Sequence, residues 1–203
     1  MSEKQLLALI APPILVLVMI PVFRGFVKIF KDNWRIGWYL GLVTYWIIWC
    51  GFFSWFLIGK SNILELIRPQ RPTFEILVLL LIPLVGAGLN RLVPGMKYEK
   101  PHAWIFIMLL STNFGNGFFE ELLWRGVYLE LFPHNLLLRM IWPTLWFALW
   151  HYAPGSVAPG GKPIGLIVGS GMMGLYLSFL ASHTGTIWWT IVMHIIGGFI
   201  MII

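Results

Sequence analysis

The sequence predicts an all-α fold, a polytopic membrane helical bundle of about seven or eight transmembrane helices around a central polar cavity. Two observations predict it. Hydrophobic residues make up 59% of the 203 residues and charged residues only 11%, with a mean hydropathy of +0.82, far from the composition of a soluble domain. The chain also contains several apolar runs that approach or exceed the length of a helix crossing the bilayer core, which takes about 17 to 25 residues.

Seven apolar segments follow one another along the chain, and each is expected to cross the bilayer. They are residues 6–23, 36–59, 74–90, 103–131, 136–152, 164–182 and 186–203. The first segment is kept as a span because it contains prolines and is followed by RGFVKIFK, with no small-residue cleavage site of a signal peptide. The predicted count is therefore seven spans, with eight as the alternative.

The chain is predicted to form a single integral membrane domain, residues 1–203, whose two halves differ in where they hold charge. Residues 1–101, the N-terminal spans, confine nearly all charge to loops, whereas residues 102–203 place charged and histidine side chains within or at the ends of apolar segments. The net charge of +6 lies mostly in short loops such as 24–35 and 91–101, where Lys and Arg meet lipid headgroups. The predicted partner is thus the lipid bilayer and not nucleic acid, and chemistry is expected in the second half.

The stretch GFFEELLWRG, residues 117–126, holds three charged side chains in an apolar neighbourhood. A charge near the centre of a membrane helix costs roughly 2.5 to 3.5 kcal/mol, so such groups need partners or a wet cavity. Glu121 and Arg125 have the i, i+4 spacing of a helical ion pair. Glu120 is turned about 100° around the axis and is free to face another helix, which makes it the candidate general base. The alternative is an ion-paired helix end that is simply exposed to water.

Two histidines lie in otherwise uncharged surroundings, His151 at the end of WPTLWFALWH and His194 in TIWWTIVMHIIGGFI. A lone histidine in an apolar helix is more often a packing residue than a catalyst. Two of them together with Glu120, on three separate helices, can instead hold and polarise one water molecule. Asn113 and Asn116 precede Glu120 by about two turns and one turn, and they either line the same cavity or belong to a glycine-rich helix-packing surface.

These residues form motifs that resemble those of a known family. EELLWR fits Glu-Glu-x-x-x-Arg, FALWH fits Phe-x-x-x-His, and HIIGG partly fits His-x-x-x-Asn, in the order found in the CPBP family (CAAX prenyl protease and bacteriocin-processing, or Abi) of intramembrane proteases. The resemblance covers roughly residues 102–203. It implies endopeptidase activity on a peptide or protein substrate, including prenylated ones, with a cavity between helices that admits substrate and water.

The resemblance also implies a catalytic or supporting role for each motif residue. Glu120 would be the general base, with His151 as its partner in activating water. His194 would help to stabilise the tetrahedral oxyanion. Glu121 and Arg125 would hold Glu120 in place.

One position departs from the family pattern, since Gly198 stands where the family has Asn. Loss of one oxyanion donor costs about 100- to 1,000-fold in rate. Either activity is reduced, or Asn113 or Asn116 supplies the donor. Two hypotheses follow, an intramembrane protease of a prokaryotic plasma membrane or a catalytically weak or inactive relative that acts as a membrane immunity or binding protein. A proton-coupled transporter is a third class, but it predicts paired repeats and broken helices in both halves.

No cofactor is expected from the sequence. The alternative is a divalent metal such as Zn²⁺ held by Glu120, His151 and His194, because zinc accepts two His and one Glu with an open position for water. The His-Glu-x-x-His pattern that indicates zinc is absent from the sequence. This absence favours a water molecule held by Glu and His.

Overall fold

The computed structural model describes residues 1–90, 102–158 and 163–202. Within these ranges the chain is helical, with no β-strand, so the predicted all-α class is confirmed. In chain order the helices are α1 Glu3–Ile29, α2 Trp34–Tyr45, α3 Ser54–Leu66, α4 Phe74–Asn90, α5 Ala103–Gly115, α6 Val127–Leu131, α7 Trp142–Trp150, α8 Tyr152–Gly155, α9 Pro163–Thr184 and α10 Trp188–Ile202. The predicted basic loop at 91–101 lies outside the described residues.

Several of these helices are continued by π-helical segments. Trp46–Phe53 joins α2 to α3, Asn116–Glu120 and Leu122–Gly126 join α5 to α6, and Leu137–Ile141 leads into α7. A π-helical turn changes the rotation between successive side chains, and such turns occur often at functional sites. The two segments between α5 and α6 cover most of the GFFEELLWRG stretch.

Three helical stretches are long and apolar enough to cross a membrane, namely Glu3–Ile29, Lys31–Leu66 and Pro163–Thr184. They contain the predicted spans 6–23, 36–59 and 164–182. The second is kinked at Gly59, where a φ of 79° is a conformation open mainly to glycine. Large hydrophobic side chains on these stretches, such as Leu17 and Phe52, are exposed, as expected for a surface that contacts lipid.

A buried aromatic cluster fixes the end of α7 in the core. Trp150 stacks on Tyr45 of α2 with ring centroids 3.8 Å apart, and Phe23 of α1 packs against the same indole at 5.7 Å. The Tyr45 hydroxyl accepts a 2.6 Å hydrogen bond from Trp124 Nε1. These contacts connect α1, α2 and α7 to the π-helical segment Leu122–Gly126.

The last helix, α10, crosses the π-helical segment Asn116–Glu120 at close range. A glycine makes this crossing possible, because a Cβ added to Gly117 would run into the side chain of Ile195. Small residues allow helices to approach closely in this way. The close approach brings His194 of α10 beside the adjacent glutamates.

Candidate active site

Glu120 is a buried carboxylate that is held from another helix. It is 1% exposed, and its Oε1 accepts a hydrogen bond from Trp150 Nε1 at 3.1 Å. Its Oε2 is also buried and has no hydrogen-bond partner among the described residues. Because a buried polar atom without a partner is costly, Oε2 is well suited to bind a water molecule or a substrate group. The expectation that Glu120 faces another helix is confirmed.

The predicted i, i+4 ion pair is present one residue further on. Arg125 Nη1 donates to Glu121 Oε1 at 3.0 Å, and both side chains are buried. Arg125 Nη2 also donates to the Gly174 carbonyl of α9 at 3.1 Å, and its guanidinium lies 4.3 Å from the ring centroid of Phe147. The alternative of a helix end exposed to water is therefore wrong, since the charged groups are buried and paired.

His194 connects the two glutamates. Its Nδ1 lies 2.7 Å from Glu121 Oε1, and its Nε2 lies 3.8 Å from Glu120 Oε2. Because Glu121 is the acceptor in its pair with Arg125, we assign the proton of the short contact to Nδ1 of His194. The nitrogen nearest Glu120 is then Nε2. Glu121 thus contacts His194, and Arg125 contacts α9. The side chain that donates a hydrogen bond to Glu120 is that of Trp150.

His151 follows the last residue of α7, and its ring is oriented by the preceding turn. Its Nδ1 lies 2.7 Å from the Phe147 carbonyl oxygen. A carbonyl oxygen can only accept, so Nδ1 carries the proton and Nε2 of the neutral ring is an acceptor. The ring also packs edge-on against Phe147, with centroids 4.7 Å apart. His151 can therefore accept a hydrogen bond from water through Nε2.

A pocket of about 490 Å³ opens beside Glu120. The described residues that line it are mostly apolar. Its lining residues with charged, amide or imidazole side chains are Arg35, Asn116, Glu120 and His151. Glu120 and His151 therefore share one pocket, whereas His194 is not among the lining residues described.

Asn116 has its amide orientation fixed by a tryptophan. Its Oδ1 accepts a hydrogen bond from Trp46 Nε1 at 2.9 Å. Because an indole nitrogen can only donate, the atom facing Trp46 must be the amide oxygen, and Nδ2 is the other branch. Since Asn116 also lines the pocket, its Nδ2 is a candidate donor to a group bound there.

Asn113 fills the space beside Gly198. Its Nδ2 donates to the Ile195 carbonyl at 2.8 Å, and a Cβ added to Gly198 would collide with Asn113 Oδ1. Asn113 is buried and is not among the described residues that line the pocket. Of the two asparagines considered from the sequence, only Asn116 contributes to the wall shared with Glu120 and His151.

The three residues of the zinc alternative are not gathered into a metal-ligand group in this structure. Within residues 1–90, 102–158 and 163–202, no group of three His, Cys, Asp or Glu side chains is placed to hold a metal ion. His194 contacts Glu121 and lies 3.8 Å from Glu120, whereas His151 lines the pocket beside Glu120. The arrangement is one polar cluster of Glu120, Glu121, Arg125 and His194, with His151 beside it.

Comparison with protein families connects this geometry to a known group. Residues 102–200 match the model described as Type II CAAX prenyl endopeptidase Rce1-like. This segment, slightly less than half of the chain, is therefore similar to the Rce1-like family. The resemblance drawn from the three motifs is confirmed over this segment. No curated protein and no solved structure matches the chain.

The Rce1-like segment supports the function of a CAAX-type intramembrane protease with a protein or peptide substrate at the membrane. Together with the long apolar helices, it indicates an integral membrane protein. The matched segment contains all five of the site residues named from the sequence, Glu120, Glu121, Arg125, His151 and His194.

Two tryptophans in the site were not identified from the sequence. Trp150 donates to Glu120, and Trp46 orients Asn116. The chain contains 12 tryptophans, and many membrane proteins place this residue at the bilayer interface. The sequence alone therefore did not distinguish these two tryptophans from the others. The one available signal was the position of Trp150 directly before His151.

Proposed function

We propose that the protein is an intramembrane endopeptidase that hydrolyses a peptide bond with a water molecule activated by Glu120 and His151. The observation that supports this most strongly is Glu120 Oε2, a buried carboxylate oxygen without a hydrogen-bond partner among the described residues, on a side chain that lines the pocket. A carboxylate in that position can accept a proton from water at the moment of attack.

In the proposed reaction, Glu120 Oε2 takes one proton from water while His151 Nε2 accepts the second hydrogen bond of the same molecule. The water oxygen forms a bond to the peptide carbonyl carbon, and the carbonyl oxygen becomes an oxyanion. When this intermediate collapses, the C–N bond breaks and Glu120 passes its proton to the leaving amine. One water molecule is consumed for each bond cleaved.

Asn116 is the donor that we propose in place of the residue missing at position 198. Two observations support this choice, because Asn116 lines the pocket and the bond from Trp46 fixes the orientation of its amide. Preorganised donors of this kind stabilise an oxyanion without reorganising during the reaction. His194 is proposed as a second donor through Nε2, with Glu121 holding the ring through Nδ1 on its opposite side.

The proposal includes a multi-pass topology of seven or eight spans in a prokaryotic plasma membrane, around a central polar cavity. Its substrates are peptides or proteins at the membrane, including prenylated ones. A buried Glu and His pair can do this chemistry without a cofactor. A divalent metal held by Glu120, His151 and His194 is kept as the alternative, because a rearranged His151 would complete a zinc ligand set.

The test is a cleavage assay with full-length protein in detergent on a library of free and prenylated peptides. We expect Glu120→Gln and His151→Ala to lower kcat/KM by at least about 100-fold, the scale of losing general base catalysis. Glu130→Gln is the matched control, since Glu130 lies on α6 and is not among the described pocket residues. Full activity in Glu120→Gln would refute the assignment of Glu120.

The same assay separates the metal alternative. Without a catalytic metal, we expect cleavage to continue after exhaustive chelation. Loss of cleavage on chelation, restored by adding Zn²⁺, would replace the proposed mechanism with the zinc one.

A second candidate function is favoured by Gly198. An inactive relative would keep the pocket for binding and would have no need of a donor at position 198. The observation in its favour is that Asn113 closes the space there. Such a protein would bind peptides of the library without cleaving any of them.

A further inference from the structure

Arg35 is a cation at the wall of an otherwise mainly apolar pocket. It lies in the first turn of α2, partly exposed, with its guanidinium 5.1 Å from the ring centroid of Trp34. Among the described residues that line the pocket, Arg35 and Glu120 are the only Arg, Lys, Asp or Glu side chains. The pocket wall therefore contains one positive and one negative group.

The two charges have different surroundings. Glu120 is buried and bound by Trp150, with a histidine nearby. Arg35 forms no ion pair with any Asp or Glu of the described ranges. A guanidinium presents several N–H donors in a fixed plane that matches a carboxylate with two parallel hydrogen bonds. An aromatic ring beneath the guanidinium, here Trp34, holds that plane without using its donors.

The rest of the wall favours an apolar occupant. α2 contributes Trp34, Trp38 and Leu42 on successive turns, which extends this wall about 12 Å along the helix axis. α5 contributes Ile105, Met108 and Leu109. A pocket with this lining takes up a short apolar segment, and its single cation selects for one negative group on that segment.

We propose that Arg35 binds a carboxylate of the peptide that occupies this pocket. The inference rests on the proposed function, since it takes the occupant to be the peptide substrate. The carboxylate is either the free C-terminus of the peptide or an acidic side chain within it, and both present the same two oxygens to the guanidinium. Arg35 thus acts in substrate selection, whereas Glu120 acts on the scissile bond.

The test measures binding and cleavage separately, with full-length protein in detergent. One apolar peptide is prepared in three forms, namely the free acid, the C-terminal amide, and the amide with one internal Glu. Each form competes with a labelled copy of the peptide for binding to the protein. We expect at least one carboxylate form to bind about 10-fold more tightly than the neutral amide, the scale of one charged hydrogen bond. The form that gains affinity identifies the source of the carboxylate.

Arg35→Gln should remove this preference and leave the affinity for the neutral amide within about twofold, since the apolar wall is unchanged. Arg35→Lys should restore part of the preference, because lysine keeps the charge but not the planar pair of donors. Arg24→Gln is the matched control, because Arg24 is an exposed arginine of α1 that is not among the described pocket residues.

Two results would overturn the inference. One is equal binding of all three peptides by the parent protein. The other is an Arg35→Gln variant that retains the preference for the carboxylate forms. Failure of the proposed protease function looks different, since the peptides would then bind with the Arg35-dependent preference and remain uncleaved.

Discussion

Trp150 Nε1 donates a 3.1 Å hydrogen bond to Glu120 Oε1, from the last residue of α7 to the π-helical segment Asn116–Glu120. Both side chains are buried, and the indole is itself held by stacking on Tyr45. The bond occupies one carboxylate oxygen and leaves Oε2 as the atom available for proton transfer. Trp150 is therefore a positioning residue for the proposed general base.

Replacement of Trp150 by Phe should reduce turnover while largely keeping the core. The ring still stacks, but the donor to Glu120 is lost, and a hydrogen bond to a charged group is worth about 1.5–3 kcal/mol. We expect kcat to fall about 10- to 100-fold, with a smaller change in KM, because Glu120 would sample other orientations. Steady-state cleavage kinetics on the best peptide of the library measure both quantities.

Trp146→Phe is the control for this substitution. Trp146 also lies on α7, and its Nε1 has no hydrogen-bond partner among the described residues. The same chemical change should therefore leave kcat within about threefold of the parent, in the range of a tolerated swap. Equal losses in the two variants would show that the indole of Trp150 acts only through packing.

The contributions of Glu121 and Arg125 to the stability of the folded protein should depend strongly on each other. Arg125→Gln removes the guanidinium from the buried Glu121 carboxylate, which keeps its contact with His194, and breaking a buried ion pair in this way typically costs about 3–5 kcal/mol. We expect a large drop in apparent Tm for Arg125→Gln, and a partial recovery when Glu121→Gln is added, because the double variant buries no uncompensated charge. Thermal unfolding in detergent, followed by tryptophan fluorescence, measures this. An Arg125→Gln protein as stable as the parent would contradict a buried, paired charge.

Features within one helix could be predicted from the sequence, because they depend on length and spacing alone. The apolar runs gave the positions of the long helices, and the i, i+4 spacing gave the Glu121–Arg125 pair that the structure contains. The burial of Glu120 against another helix also followed, since an unpaired charge had to leave the lipid-facing surface.

Contacts between helices could not be predicted in the same way. In a membrane protein the faces turned to lipid and to the core are both apolar, so hydropathy does not fix how each helix is rotated. The π-helical segments around Glu120 add to this, because they change the angle per residue from the α-helical value. The contacts His194–Glu121 and Trp150–Glu120 depend on those rotations.

The crossing of α1 and α2 should depend on Gly37. A Cβ added there would lie 2.6 Å from the backbone oxygen of Phe26 in α1, and a backbone atom cannot move aside cheaply. We expect Gly37→Ala to lower stability by about 1–3 kcal/mol through overpacking. Gly25→Ala, with nothing within 4 Å of the added Cβ, should be neutral or stabilising, since alanine favours a helix interior. Apparent Tm values of the two variants test this, and a Gly37→Ala variant as stable as Gly25→Ala would contradict the close crossing.

Introduction of the family asparagine at position 198 should fail unless Asn113 is removed as well. A side chain at 198 collides with Asn113 Oδ1, so Gly198→Asn alone should lower the apparent Tm sharply. Asn113→Ala removes the colliding amide, at the cost of its hydrogen bond to Ile195, which is worth about 1 kcal/mol. The double variant Asn113→Ala, Gly198→Asn should therefore be more stable than Gly198→Asn, with Asn113→Ala as the control.

Cleavage by that double variant also tests where the oxyanion donor lies. If Asn116 supplies the donor, a second amide at 198 adds little, and we expect kcat to stay within about tenfold of the parent, well short of the roughly 100- to 1,000-fold effect of a single essential donor. In the same background, Asn116→Ala should lower kcat by less than it does in the parent, because the asparagine introduced at position 198 can then substitute for it. A gain of about 100-fold or more in the double variant itself would mean that the parent lacks a donor and that Asn116 does not provide one.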